Sequence, residues 1–240
     1  MKKVALVTAS SSGIGNTIAK KLLKKGYVVY ANGTNRLKLE NKFDKYIVAN
    51  MCDEKEIHKA LKEIVKKEGR LDLVVANLGS GKSISGWNVD IKEYKRVFDI
   101  NLFAAITLAT KSIEFLKQTK GNLVFISSIA GCENLGAPIA YTAAKTALLS
   151  FSKSLSSEVA KYNIRVNSIS PGNVMFKDST WDKKIKQNKE EVKTYIKDSV
   201  PLNKFATPKD IAKAVLFLEK SDFITGSNIV VDGGQLHKII

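Results

Sequence analysis

The sequence TASSSGIG at residues 8–15 decides the fold of this chain. It follows a run of aliphatic and β-branched residues, 4–8, and opens a segment, 14–25, whose apolar side chains recur at helical spacing. A turn that joins a strand to a helix can bring backbone N–H groups against a pyrophosphate at the helix N-terminus, and only residues without side chains allow so close an approach. The stretch therefore predicts a phosphate-binding turn, although such a turn can also merely link a strand to a helix.

Short apolar runs alternate with longer helical segments along the whole chain. The runs predict seven strands, at residues 4–8, 27–30, 46–48, 73–76, 123–126, 165–169 and 229–231. Between them, apolar spacing predicts helices at 14–25, 54–67, 91–117, 138–161 and 208–218. Asp53 and Thr207-Pro208 are expected to cap the second and the last of these. The sequence thus predicts an α/β fold, a Rossmann-type, doubly wound, seven-stranded parallel sheet with helices on both faces.

No linker rich in Pro, Gly or Ser interrupts this alternation, so we expect residues 1–240 to form a single dinucleotide-binding and catalytic domain. Residues 174–202 break the rhythm with many Lys and Asn residues and an isolated Trp181. We expect them to form a helical excursion that lies over the site as a substrate lid. Functional side chains should follow the carboxyl ends of the strands, where a doubly wound sheet binds its ligands.

The chain is strongly basic. Its 39 Lys and Arg residues against 23 Asp and Glu give a net charge of +16, and its 44% hydrophobic content is typical of a globular protein rather than a disordered or collagen-like one. A basic chain can bind nucleic acid, anionic membranes or an acidic partner. The lysines are spread along the chain, however, without a basic helix, a zinc-ligand spacing or an aromatic RNA-binding motif. We therefore expect no nucleic-acid partner and no metal site.

Other features bear on location. No apolar stretch approaches the roughly 18 residues of a membrane span, so no membrane association is expected. The first apolar run is too short for a signal peptide, and the two cysteines, Cys52 and Cys132, cannot form a disulfide framework. These features together favour a reducing cytoplasm.

Tyr141 and Lys145 lie four positions apart in a predicted helix and so share one face. An ammonium beneath the phenol would favour the phenolate and lower the tyrosine pKa. Because the chain has 7 tyrosines and abundant lysines, one such pair is expected by chance and is uninformative alone. Ser128, at the end of the fifth predicted strand, adds a hydroxyl that can reach the same cavity.

With Ser128, Tyr141 and Lys145 placed behind the turn at 8–15, the chain resembles the short-chain dehydrogenase/reductase family. The resemblance extends from Lys3 to Gly234. Further matches, all in family order, are Asn77-Leu78-Gly79, Asn101, Pro171-Gly172, Thr225-Gly226 and Val231-Asp232-Gly233-Gly234.

The resemblance implies a nicotinamide dinucleotide cofactor and four catalytic residues. Tyr141 would be the general acid in reduction and the general base in oxidation, and Ser128 would hydrogen-bond the reacting oxygen. Lys145 would bind the nicotinamide ribose and lower the Tyr141 pKa, and Asn101 would hold a water that passes protons from solvent. The structural alternatives are a turn serine, a solvated lysine and an asparagine at a helix kink.

The resemblance also assigns the residues that contact the cofactor. They are Ser10, Ser12, Gly13, Ile14, Gly15, Thr34, Asn50, Met51, Asn77, Gly79, Tyr141, Lys145, Pro171, Gly172 and Val174.

The segment after the second predicted strand bears on the choice between NADP(H) and NAD(H). Gly33 occupies the family position of the acid that would bind a ribose 2′-hydroxyl, and no carboxylate occurs before Glu40. Thr34, Asn35 and Arg36 offer donors suited to a phosphate instead. We therefore expect NADP(H) to be preferred over NAD(H), although the arginine that commonly neighbours such a threonine is missing.

Three residues depart from the family pattern. Ala9 replaces the first glycine of the turn, which is tolerable if that position needs no positive φ. Leu78 replaces the usual alanine of the Asn-Ala-Gly motif. Phe176 stands where a threonine commonly hydrogen-bonds the cofactor carboxamide, so it removes a donor and adds an aromatic wall.

The resulting hypothesis is an NADP(H)-dependent oxidoreductase that interconverts a ketone and a secondary alcohol. The nearest look-alikes are 3-oxoacyl-acyl-carrier-protein reductases, and a sugar or another small ketone is the alternative substrate. A dinucleotide-sensing or nucleic-acid-binding module without turnover is the alternative from another class, and an epimerase or dehydratase is disfavoured. The apolar positions of residues 101–117 and 141–161 exceed what one sheet face covers, so we expect subunit pairing, as in a homodimer, and the family resemblance suggests a homotetramer.

Overall fold

Seven short strands pair side by side in one parallel sheet. The computed structural model describes residues 1–237 and contains β1 (Val4–Val7), β2 (Val28–Gly33), β3 (Tyr46–Val48), β4 (Leu73–Ala76), β5 (Asn122–Ile126), β6 (Arg165–Pro171) and β7 (Asn228–Val231). Their order across the sheet is β3-β2-β1-β4-β5-β6-β7, and each pairing is parallel. All seven predicted strands are present, which confirms the predicted α/β fold.

The winding of the sheet reverses between β1 and β4. Val7, near the carboxyl end of β1, lies level with Ala31 of β2 on one side and Val75 of β4 on the other. The chain builds β1, β2 and β3 toward one edge and then crosses back to β4. Ligand crevices of doubly wound sheets open above the carboxyl ends of the strands at this reversal. The turn at residues 8–15 leaves β1 at that point.

The helices of residues 1–237 are α1 (Gly13–Lys24), α2 (Arg36–Glu40), α3 (Glu54–Glu68), α4 (Ile91–Phe98), α5 (Ala104–Thr119), α6 (Ile139–Val159), α7 (Thr180–Gln187), α8 (Lys189–Ser199) and α9 (Pro208–Lys220). In this part of the chain, no helix combines the length and the apolar character needed to cross a membrane.

Helices cover both faces of the sheet, as predicted. On one face, α1 and α9 bury Leu22 and Val215 against the strands. On the other, α3 and α5 bury Leu61 and Leu108, and α6 packs beside them. Each such side chain contributes about 1.5–3 kcal/mol when fully buried. The two apolar layers hold the strand ends in place, and the strand ends carry the site.

The helix expected at 91–117 is divided, so that prediction was wrong in this respect. A π-helical turn, Asp99–Phe103, separates α4 from α5. Within it, the side-chain amide of Asn101 donates to the carbonyl oxygen of Val97 at 3.0 Å and competes with the backbone ladder. Apolar spacing continues through this turn, so periodicity alone did not reveal it. The short α2 was also missed, because five residues are too few to show a helical period.

The predicted helix caps are confirmed. The Asp53 carboxylate accepts hydrogen bonds from the backbone N–H groups of Lys55 and Glu56. At the start of α9, the Asp210 carboxylate accepts hydrogen bonds from the backbone N–H of Thr207 at 2.9 Å and from its hydroxyl at 2.7 Å. Residues 174–202 are largely helical, as expected, since they contain α7 and α8.

Candidate active site

The turn after β1 presents open backbone donors. The N–H of Asn16 is bonded to Ser12 O at 3.2 Å, so the N–H groups of Gly13, Ile14 and Gly15 precede the helical ladder. Within residues 1–237, the Ser12 side chain caps none of these groups, and the first turn of α1 contains no acidic residue. A 12-residue helix with an uncapped, unneutralised N-terminus can bind a phosphate.

Ala9 adopts the left-handed conformation, with φ of 50°. The position that the family pattern gives to glycine therefore does require a positive φ here, and the alanine costs about 1–2 kcal/mol relative to its relaxed conformation. The carbonyl of Ala9 also lies against α1, because a Cβ added to Gly15 would approach Ala9 O and Asn77 Nδ2 to 2.6 Å. Gly15 is thus required for close packing of the turn.

Asn77, at the end of β4, fixes the turn from the other side of the winding reversal. Its side-chain amide donates to the carbonyl oxygens of Thr8, at 3.1 Å, and Ala9, at 3.4 Å. Its backbone N–H donates to the Thr8 hydroxyl at 2.8 Å. These bonds join the carboxyl ends of β1 and β4, where the crevice opens.

Ser10 and Asn32 position the turn from β2. Ser10 is fully buried, its hydroxyl donates to Val7 O, and its N–H donates to Asn32 O at 2.6 Å. The Asn32 side chain accepts from Ala9 N at 3.3 Å and donates to the carbonyl oxygens of Ile47 and Ala49. Asn32 was not among the predicted site residues, although an amide within an apolar strand is a recognisable signal.

Ser128, Tyr141 and Lys145 converge on one side of the crevice. Ser128 follows β5, and Tyr141 and Lys145 lie on successive turns of α6. The Ser127 hydroxyl donates to Lys145 O at 3.2 Å. A Cβ added to Gly131 would lie 2.7 Å from the carbonyl carbon of Lys145. The glycine therefore lets the segment after β5 pack directly on α6.

Lys145 is buried, with 2% of its surface exposed, and its Nζ donates to Ile126 O at 3.0 Å. Burial lowers the pKa of Lys145 to about 8. The ammonium lies 5.9 Å from the centre of the Tyr141 ring.

The expected lowering of the Tyr141 pKa is not found, and that expectation is corrected. Burial raises the pKa of Tyr141, and a hydrogen bond with Ser128 only partly opposes this. The physical reason is that burial removes the phenolate from water, and this desolvation outweighs the hydrogen bond with Ser128.

Asn101 fixes the loop after β4 beside Lys145. Its Nδ2 donates to Ser80 O at 3.1 Å and to Val97 O at 3.0 Å, and its Oδ1 accepts from Ser80 N at 2.9 Å. A Cβ added to Gly79 would lie 3.0 Å from Asn101 Oδ1 and 3.1 Å from Lys145 Nζ. Both amide hydrogens of Asn101 are thus engaged in holding the loop, and Gly79 fits between it and the lysine.

A cavity of about 630 Å³ connects the turn to these side chains. Nine of the predicted site residues line it: Ile14, Asn77, Gly79, Ser128, Tyr141, Lys145, Pro171, Gly172 and Val174. Considering residues 1–237 only, no Asp or Glu is among its lining residues. The cavity is therefore suited to an anionic or polar molecule rather than a cationic one.

Residues 174–202 form the opposite wall. Phe176 lies against the turn, since a Cβ added to Gly13 would meet its ring at 2.6 Å. Trp181 stacks on Tyr195 with 4.8 Å between ring centres, and its indole N–H donates to Asn173 Oδ1 at 3.0 Å. The ammonium of Lys184 lies 4.7 Å from the Trp181 ring centre. This wall is aromatic, with one cation at its edge.

Seven predicted cofactor residues do not line this cavity: Ser10, Ser12, Gly13 and Gly15 belong to the turn, and Thr34, Asn50 and Met51 follow β2 and β3. Thr34 is exposed directly after β2. Asn50 is exposed after β3, and its Oδ1 accepts from Cys52 N at 3.0 Å. Met51 is buried in the core. A side-chain contact with a ligand is therefore open to Thr34 and Asn50, whereas Met51 could offer only its backbone.

Several known proteins are similar to this chain in sequence and fold. A family model described as enoyl-(acyl carrier protein) reductase matches residues 8–235. The chain is 32% identical to the 3-oxoacyl-acyl-carrier-protein reductase FabG of Aquifex aeolicus, with 97% of each chain covered. It is 36% identical to carbonyl reductase family member 4 of Xenopus laevis over 99% of this chain and 100% of that one.

Two solved structures are also similar to this chain in fold. L-sorbose reductase from Gluconobacter frateurii, complexed with NADPH and L-sorbose, has a TM-score of 0.92 at 26% identity and covers 99% of this chain and 98% of its own. YwfH, an NADPH-dependent reductase involved in bacilysin biosynthesis, has a TM-score of 0.91 at 23% identity, with 100% of both chains covered, and shows the shared fold. Similarity to the family model and the curated relatives extends over nearly the whole length, so this chain is an oxidoreductase and belongs to the short-chain dehydrogenase/reductase family.

Proposed function

We propose that this protein transfers a hydride between NADP(H) and a ketone or its secondary alcohol. The observation that carries the proposal is that Ser128, Tyr141 and Lys145 line the same cavity as Ile14 of the glycine-containing turn. A proton donor, a hydroxyl and a cation thus share one space with open helix N–H groups. The binding of NADPH by the related L-sorbose reductase supports the choice of cofactor.

The residues at the turn fit a dinucleotide. The open N–H groups of Gly13 and Ile14 suit a pyrophosphate, and the close packing at Gly15 leaves the helix end clear of side chains. Pro171 at the end of β6 and Gly172 after it line the same cavity and would border the nicotinamide. The cofactor supplies the hydride when it is bound.

Tyr141 donates the proton to the carbonyl oxygen in the direction of reduction. Because its pKa is raised by burial, the phenol stays protonated at neutral pH and is ready to act as an acid. Ser128 hydrogen-bonds the same oxygen and fixes its position. In its charged form, Lys145 favours the phenolate that remains after the transfer.

Asn101 contributes as a positioning residue in this proposal. Its three hydrogen bonds to Ser80 and Val97 hold the loop that carries Gly79 against Lys145. The water that the family assigns to this asparagine would have to be bound by groups other than its two amide hydrogens. Ser80 itself lines the cavity and is within the same loop.

Residues 174–202 act as the substrate lid. The relatives named 3-oxoacyl-acyl-carrier-protein reductase favour a 3-oxoacyl group on a carrier protein, and Lys184 at the edge of the cavity suits an anionic part of such a partner. The stacked Trp181 gives a flat apolar surface that also suits a sugar ring, as in the relative that binds L-sorbose. A carrier-protein substrate would use Lys184, whereas a sugar substrate would rely on Trp181.

We also propose self-association and a cytoplasmic setting. Phe103 in the π-helical turn before α5 and Ile139 on α6 are exposed apolar side chains, as are Phe217 on α9 and Phe223 before the edge strand β7. A second copy of the chain would cover these surfaces in a dimer or tetramer. Sedimentation equilibrium measures this directly, and a monomer at all concentrations contradicts it. The two cysteines are free thiols, in line with a reducing compartment.

A panel of ketones tests the function. Purified protein is mixed with NADPH and a 3-oxoacyl carrier-protein thioester, a sugar ketone such as L-sorbose, or a simple ketone, and loss of NADPH absorbance is followed. Turnover with one class identifies the substrate type. Absence of NADPH oxidation together with salt-sensitive binding of DNA or RNA would support a nucleic-acid-binding module instead.

A further inference from the structure

A lysine from beyond α2 reaches back to the turn after β1. Lys42 Nζ donates to the carbonyl oxygen of Ser11 at 2.6 Å, across 31 positions of sequence. This bond uses one of the three ammonium hydrogens and leaves two for a ligand. Within the described chain, Lys42 is exposed and forms no ion pair with a carboxylate. The carbonyl of Ser11 thus fixes a cation that is otherwise uncompensated.

Ser11 also touches the end of β2. A Cβ added to Gly33 would lie 3.5 Å from the Cβ of Ser11. Thr34 follows directly and is exposed. Three segments therefore meet here: the turn, the end of β2 with its hydroxyl, and the stretch after α2 with its ammonium.

Three neighbouring polar side chains, those of Asn35, Arg36 and Glu40, have partners within this region. Asn35 caps α2 by accepting from Lys38 N at 3.0 Å. Arg36 donates to the Tyr46 hydroxyl at 3.3 Å, and that hydroxyl donates to Glu40 at 3.3 Å. The sequence suggested Asn35 and Arg36 as phosphate donors, but their side chains are directed to these partners. Lys42 is the cation that the structure holds against the turn.

We propose that Lys42, together with Thr34, binds the 2′-phosphate that distinguishes NADP(H) from NAD(H). This assignment rests on the proposed function and names the residue that determines its cofactor preference. A phosphomonoester carries between one and two negative charges at neutral pH and accepts charge-assisted hydrogen bonds from an ammonium. NAD(H) has a hydroxyl in place of the 2′-phosphate, so the lysine adds little to its affinity. Lys42 thereby takes the place of the arginine that commonly neighbours a threonine such as Thr34.

Ligand binding tests this without turnover. Calorimetry measures the affinity of the purified protein for adenosine 2′,5′-bisphosphate and for adenosine 5′-monophosphate, which lacks the 2′-phosphate. In Lys42→Ala we expect affinity for the bisphosphate to fall about tenfold or more and affinity for the monophosphate to stay within about twofold. Lys42→Arg should retain affinity for the bisphosphate, because it keeps the positive charge. Lys24→Ala, an exposed lysine at the far end of α1, removes the same charge and should change neither affinity.

The outcomes separate this inference from the proposed function. If the unmodified protein prefers the bisphosphate and Lys42→Ala does so equally, the role of Lys42 is overturned while NADP(H) preference stands. If Lys42→Ala loses affinity for both ligands equally, the substitution acts through the structure of the turn, and the role of Lys42 in binding the 2′-phosphate is also overturned. If the unmodified protein binds the two ligands alike, the NADP(H) preference is itself wrong, and the assignment of Lys42 is wrong with it.

Discussion

The ammonium of Lys145 donates a hydrogen bond to the carbonyl oxygen of Ile126, 3.0 Å away at the end of β5. The lysine is almost completely buried, and this bond is its anchor. A charge held by one neutral acceptor in a buried place is costly, which is why the pKa of Lys145 falls to about 8. Lys145 therefore lowers the stability of the fold, and its presence is explained by its proposed role in the reaction.

This cost predicts that stability depends on pH and on Lys145. The folded pKa of about 8 lies below the ordinary lysine value of 10.5, so the unfolded chain binds more protons between these pH values and stability rises with pH from about 8 toward 10. Lys145→Met should remove this rise and stabilise the ligand-free protein near pH 7 by about 2–3 kcal/mol, while turnover is lost. Urea unfolding at pH 7 and pH 9.5 measures both effects. An unchanged pH slope in Lys145→Met would show that another group titrates.

Removal of the Tyr141 hydroxyl should separate binding from chemistry. Tyr141→Phe keeps the ring that lines the cavity and deletes only the proton donor, so NADPH affinity should be retained and turnover should fall by a factor of about 10²–10⁴. Fluorescence titration with NADPH and steady-state kinetics on the same preparation give the two quantities. Tyr162→Phe, on a tyrosine remote from the cavity lining, is the matched control. Turnover that survives in Tyr141→Phe would refute the mechanism.

The sheet and most of the site followed from the sequence because they depend on local patterns. Alternating apolar runs place the strands, and Ser128 and Tyr141 follow from the ends of one strand and the next helix. The contacts that were missed are those between distant segments. The bond between Lys42 and Ser11 joins two loops, and the approach of Phe176 to Gly13 depends on how residues 174–202 fold back over the turn.

The pKa values of Tyr141 and Lys145 also could not be predicted from the sequence. The four-residue spacing of Tyr141 and Lys145 correctly places both on one face of α6, but it does not show that the lysine is bonded to Ile126. Burial then raises the pKa of the tyrosine instead of lowering it. The spacing determines which groups are near one another, whereas desolvation determines their pKa values.

Restoring glycine at position 9 should stabilise the protein. Ala9 is held at φ of 50°, where glycine has no steric penalty. The gain is partly offset because glycine increases the entropy of the unfolded chain, so Ala9→Gly should raise the free energy of unfolding by about 0.5–1 kcal/mol. Ala19→Gly, at a buried position inside α1, should lower it by about 1 kcal/mol or more. If Ala9→Gly is as destabilising as Ala19→Gly in thermal or urea unfolding, the strain assigned to Ala9 is wrong.

Gly13 and Phe176 should be energetically coupled. A methyl group at Gly13 would lie 2.6 Å from the Phe176 ring, at a residue whose φ is already +58°. Gly13→Ala should therefore destabilise the protein by about 2–3 kcal/mol through strain and overlap. In the Phe176→Ala background, the same change should cost about 1 kcal/mol less, because the ring has gone. Equal costs in both backgrounds, measured by urea unfolding of the four proteins, would show that the lid does not rest on the turn.

The end of β2 should control the choice between NADPH and NADH. Thr34 is the exposed hydroxyl beside the turn, and no carboxylate lies between it and Glu40. Thr34→Asp places a negative charge where it would repel a 2′-phosphate and accept a hydrogen bond from a ribose hydroxyl, so the ratio of kcat/KM for NADPH to that for NADH should fall by about tenfold or more. Thr34→Asn provides the isosteric neutral control and should leave the ratio within about threefold. If both variants change the ratio equally, shape rather than charge governs the preference, and if neither changes it, the phosphate does not bind at this end of β2.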